Sequence, residues 1–80
     1  MGMWIRSQNN MMLLKAKNIL CIKEELDDTY VIYDDVTDYI LGKYSTEEKV
    51  IRVFDMIEDS IKWGKKVFQM PADEEVEEWK

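Results

Sequence analysis

The sequence predicts an α+β fold: an antiparallel meander of four to five short strands, one C-terminal α-helix packed on one face, then a short extended segment and an acidic tail. Three observations predict it. Short β-branched and aromatic runs alternate with turn-forming residues as far as Tyr44. The apolar spacing then changes from a period near 2 to one near 3.6 after Ser45. Finally, 80 residues with 46% hydrophobic content suffice for one core and not for two. The expected division is a single domain over 1–72 followed by an acidic tail over 73–80.

Each element has a local cause. Met3-Trp4-Ile5-Arg6-Ser7 is short and rich in strand formers, and the amides of Gln8-Asn9-Asn10 suit a turn. Met11 to Lys17 reads as a second strand. Asn18 interrupts it, and Ile19 to Lys23 continues either as a new strand or as the same one past a bend. Leu26-Asp27-Asp28 makes a turn, Thr29 to Tyr33 a strand that Asp34-Asp35 breaks, and Tyr39 to Tyr44 the next strand. Ser45 with Glu48 fits a capping box, which opens a helix over 46–63. Val50, Val53, Phe54, Ile57 and Ile61 form its apolar stripe, and Gly64 is placed to stop it. Val67 to Met70 is long enough for an edge strand or a crossing over the helix before Pro71. In the tail, Val76 and Trp79 are spaced to anchor a short helix.

Composition narrows the chemistry. With no histidine and the single Cys21, an internal disulfide, a Cys/His zinc site and a histidine-based triad are excluded. The glycines at 2, 42 and 64 are isolated, so no phosphate-cradling loop is present. Asp27, Asp28, Asp34, Asp35 and Asp38 sit at expected turns, where aspartate bonds its own backbone. Cys21 lies in an apolar strand and reads as a small hydrophobe. The expectation is a protein that is not an enzyme, without metal or other cofactor. The N-terminal apolar run is far too short for a membrane span and lacks a signal-peptide layout, so a soluble cytoplasmic protein with no membrane partner is expected. A core this small has a thin stability margin, which favours a homo-oligomer.

Charge is unevenly spread. The net −6 divides into +4 over residues 1–23, which contain Arg6, Lys15, Lys17 and Lys23 and no acid, −6 over 24–72, and −4 over 73–80. Trp4 and Arg6 alternate on the first strand, and Lys15 and Lys17 on the second, so pairing of the strands would put aromatic and cationic groups on one surface. Such a surface can stack a base and neutralise phosphate. The alternative is that Trp4 is core and Arg6 pairs with an acid. A nucleic-acid polymer is not expected, because the −10 over residues 24–80 repels a long phosphate backbone. Phe68, Met70 and Trp79 are large apolar side chains late in the chain, candidates for contact with a neighbouring subunit or partner; alternatively Phe68 and Met70 cover the helix end.

The opening Met3-Trp4-Ile5-Arg6-Ser7-Gln8, the Leu41-Gly42-Lys43-Tyr44 segment before the helix start Ser45-Thr46-Glu47-Glu48, and Met70-Pro71 resemble small phage and prophage proteins of Gram-positive hosts that begin Met-Trp-Ile-Arg-Ser-Gln. The resemblance spans most of residues 3–71 and makes Met3 the start, with Met1-Gly2 an extension. It implies no catalytic residues. It implies an accessory protein in the bacterial host cytoplasm that acts by binding. The leading expectation is counter-defence, by sequestering a small cyclic nucleotide signal in a homo-oligomer. The alternatives are an inhibitor that meets a host defence protein through its acidic surface, and a phage structural or assembly accessory.

Overall fold

The computed structural model describes residues 3–16 and 20–76. Met1 and Gly2, Lys17, Asn18 and the end of the tail with Trp79 lie outside the described residues. These residues form strands β1 (Met3–Arg6), β2 (Leu13–Ala16), β3 (Leu20–Glu24), β4 (Tyr30–Asp34) and β5 (Ile40–Tyr44), helix α1 (Glu47–Lys62), strand β6 (Val67–Gln69) and a 3-10 turn at Asp73–Glu75. The fold is α+β, with α1 packed on β4 and β5.

The strands divide between two three-stranded sheets, in the orders β2-β1-β6 and β3-β4-β5. The second is an antiparallel meander. In the first, β1 is central, antiparallel to β2 and parallel to β6. Residues 11–23 therefore supply two strands in different sheets, not one bent strand, and the 67–70 segment is an edge strand.

One apolar cluster joins the two sheets and the helix: Met3 and Ile5 of β1, Ile32, Leu41 and Tyr44 of the meander, Val50, Val53 and Ile57 of α1, with Phe68, Met70 and Val76. Phe68 and Met70 are buried within the chain itself, so they are not available as the partner contacts expected of them. Their positions alternate with exposed Val67 and Gln69, and the period-2 geometry of β6 turns them inward. Met70 packs where Gly42 lacks a side chain; a Cβ there would lie 2.9 Å from the Met70 methyl and from the Tyr44 ring and hydroxyl.

The helix start also differs from expectation. Thr46 is the N-cap, its hydroxyl accepting the Lys49 N–H at 3.2 Å. Ser45 instead gives its N–H and hydroxyl to Asp73, at 2.8 and 3.1 Å. The acidic segment is thus fastened at its start, and Val76 reaches the core. At the other end Gly64, with φ 70, closes the helix: its N–H bonds the Ile61 carbonyl, and the Lys65 N–H bonds that of Ser60.

The sheets are tied by Gln8. Its backbone N–H donates to Leu41 at 2.8 Å, and its side-chain amide exchanges hydrogen bonds with the backbone of Lys43. The same amide nitrogen also reaches the Pro71 carbonyl at 3.2 Å. One side chain therefore pairs with β5 as a strand residue would, and holds the segment that follows β6.

Candidate functional site

The first sheet has an inner face in the core and an outer face that is open. In β1 the pattern is strict: Met3 and Ile5 are buried, Trp4 and Arg6 exposed. The register puts Lys15 on one side of Trp4 and Val67 on the other, and Leu13 and Gln69 on either side of Arg6. Six side chains in two rows thus face outward. Trp4 is 40% exposed, Leu13 56% and Val67 55%.

Of the four residues expected to form a ligand surface, Trp4, Arg6 and Lys15 are brought together, and Lys17 lies outside the described residues. The Lys15 ammonium sits 5.9 Å from the centre of the Trp4 ring, a cation–π contact. The alternative placement of Trp4 in the core is not what the fold adopts. Nor does Arg6 form an ion pair among the described residues; its guanidinium makes one long contact, 3.5 Å, to the Asn10 carbonyl. Most of its donors stay available to a ligand.

The turn that sets this register is built by its own side chains. The Ser7 hydroxyl, buried, donates to the Asn9 side-chain oxygen at 2.6 Å and accepts the Met12 N–H at 3.1 Å. The Asn9 oxygen also accepts the Met11 N–H, and Asn10 takes a φ of 64, which asparagine tolerates. Polar side chains after β1 therefore fix the partner of each exposed residue.

Other chemistry-bearing groups are engaged in structure. Asp27 accepts from the Thr29 hydroxyl and from Lys43, which hold its carboxyl at about 2. Asp34 is buried and is the last residue of β4, one past the expected end at Tyr33, and it accepts the Val36 N–H at 3.0 Å. Burial pushes the Tyr44 hydroxyl well above the ordinary tyrosine range, aided by Asp73 and Glu75, and it donates to the Pro71 carbonyl at 2.7 Å. A groove of about 400 Å³ is bordered by Lys43, Tyr44, Ser45 and Asp73, and the polar groups of these four bond one another or nearby chain. Cys21 is half-buried opposite Tyr33, and the Cys21 sulfur together with burial raises the Tyr33 hydroxyl. Among the described residues no cluster of acids and cysteine has metal-holding geometry.

Inspection of the first strands alone misses a neighbour of Trp4. Its N–H donates to the Lys66 carbonyl at 2.9 Å, so the exposed Lys65-Lys66 pair lies along the β6 side of β1. The signal was present in the charge sequence: residues 60–72 hold Lys62, Lys65 and Lys66 and no acid, a stretch hidden when 24–72 is taken as one segment.

No helix among the described residues is long and apolar enough to cross a membrane. No protein-family model, curated protein or solved structure matches the chain.

Proposed function

We propose that the chain is a non-catalytic binding protein that captures a small nucleotide on the outer face of the β2-β1-β6 sheet. The observation that carries this reading is the meeting of Trp4, Lys15 and Arg6 on one exposed surface. Trp4, 40% exposed, offers ring surface to a base, a stacking contact worth roughly 1–3 kcal/mol. Lys15, already beside the ring, and Arg6, two residues along the same face, meet phosphate oxygens through charge-assisted bonds. Together with the resemblance of the opening residues to phage proteins, this gives a cytoplasmic capture protein that acts against host defence by holding a cyclic nucleotide signal, as a homo-oligomer.

Calorimetric titration with cyclic di- and trinucleotides and with mononucleotides, alongside a mass measurement in solution, tests the reading. Binding by at least one ligand is expected. Trp4→Ala, Arg6→Ala and Lys15→Ala should each weaken it at least tenfold while the circular dichroism spectrum stays unchanged. Absence of binding by every nucleotide overturns the reading, and a monomeric mass with ligand present removes the oligomer from it.

A further inference from the structure

All 17 acids of the chain fall within residues 24–59 and 73–78. The two acid-free stretches, 1–23 and 60–72, are far apart in sequence, and the parallel pairing of β6 with β1 lays them side by side. Every strand of this sheet is therefore free of carboxylates, although the chain as a whole is acidic.

The helix end makes the juxtaposition possible. Gly64 turns the backbone after α1 with two closing hydrogen bonds, and the chain then runs through Lys65 and Lys66 into β6. Lys62 lies in the last helical turn, where the helix end is negative, and Lys65 and Lys66 follow beyond it. Both are exposed. Among the described residues neither forms an ion pair, nor do Arg6 and Lys15, whereas Lys43 and Lys49 are paired with Asp27 and Asp73.

Trp4 thus has Lys15 beside it on the β2 side, and on the β6 side Val67, with Lys65 on the same face two residues before Val67 and Lys66 between them. Adjacent strands lie about 4.8 Å apart, so the two flanks are separated by roughly 10 Å. A single phosphate beside a base on Trp4 can engage one flank only. We infer that the preferred ligand carries two phosphates that are not bonded to each other, one on either side of the stacked base: a nucleoside 3′,5′-bisphosphate or a cyclic dinucleotide, in preference to a monophosphate. This rests on the stacking of a base on Trp4 proposed above.

The test compares adenosine 5′-monophosphate, adenosine 3′,5′-bisphosphate and cyclic dinucleotides of adenine and guanine, by calorimetry on the full chain. The two-phosphate ligands are expected to bind at least tenfold more tightly than the monophosphate. A Lys65→Gln, Lys66→Gln double variant should erase that advantage and leave monophosphate affinity within twofold, and Trp4→Ala should weaken both classes. Equal affinity for one- and two-phosphate ligands, or a double variant that leaves the difference intact, overturns the two-flank inference while the Trp4 reading stands. If no nucleotide of either class binds, both fall.

Discussion

Replacing Gln8 by alanine removes the acceptor of the Lys43 N–H and the donor to the Lys43 and Pro71 carbonyls. The Lys43 groups are exposed and the Pro71 carbonyl keeps the Tyr44 hydroxyl, so what is lost is the hydrogen bonds themselves, about 1 kcal/mol each, and the urea midpoint of Gln8→Ala should fall accordingly. Asp73 is a second such residue. Burial pushes its carboxyl up, but the Ser45 N–H and hydroxyl together with Lys49 outweigh this and hold it below 3.8. A carboxyl lowered by folding stabilises the native state above its unfolded value and loses that contribution as pH falls through its folded value. Asp73→Asn should therefore flatten the stability profile below about pH 4 and leave the neutral-to-basic side parallel to the parent. At Asp27 the Thr29 hydroxyl outranks Lys43 as the cause of the low carboxyl; an NMR titration of Thr29→Ala should move Asp27 upward by more than one of Lys43→Met. The two-residue alternation that exposes Trp4 and Arg6 is legible in sequence because it is local. The role of Ser45 is not, because its partner lies 28 residues away and Thr46, the next residue, is an equally good cap.

The helix presents Val50, Val53, Ile57 and Ser60 to the core, a 3-4-3 spacing. That row leaves Ile61 62% exposed although its spacing belongs to the apolar stripe. Periodicity identifies the buried face of α1 as far as Ile57; past it the fold buries Ser60 and leaves Ile61 exposed. Ile61→Ser should change stability by less than about 0.5 kcal/mol, and Thr46→Ala should cost about 1 kcal/mol through the lost cap. Gly42→Ala forces a methyl against Met70 and Tyr44 and should cost about 1–3 kcal/mol. Thermal or urea unfolding separates these three. Strand existence was legible from β-branched runs, but strand pairing was not: the Met3–Arg6 and Val67–Gln69 segments carry no local mark of their parallel alignment. The split into two sheets follows from those long-range pairings, and the inward turn of Phe68 and Met70 comes with them.

At the scale of the molecule, charge and topology coincide. The acid-free sheet gives an acidic protein a local surface suited to anions, and added salt should weaken the two-phosphate ligands more steeply than the monophosphate, because two charge contacts are screened instead of one. Titration between about 50 and 300 mM salt reads this directly. The same topology sets an order of assembly. The contact between Gln8 and Pro71 closes 63 residues of chain, and β1, made early, waits for β6 to complete its second edge. Closing so long a loop before it is rewarded is slow. During synthesis the ribosome therefore releases a hairpin and a meander while one side of β1 still shows unpaired backbone groups. Docking of β6 on β1 is then the slow step, so Phe68→Leu should lower the refolding limb of a stopped-flow chevron more than it raises the unfolding limb. Until then, β1 is the part of the nascent chain most open to pairing with a stranger.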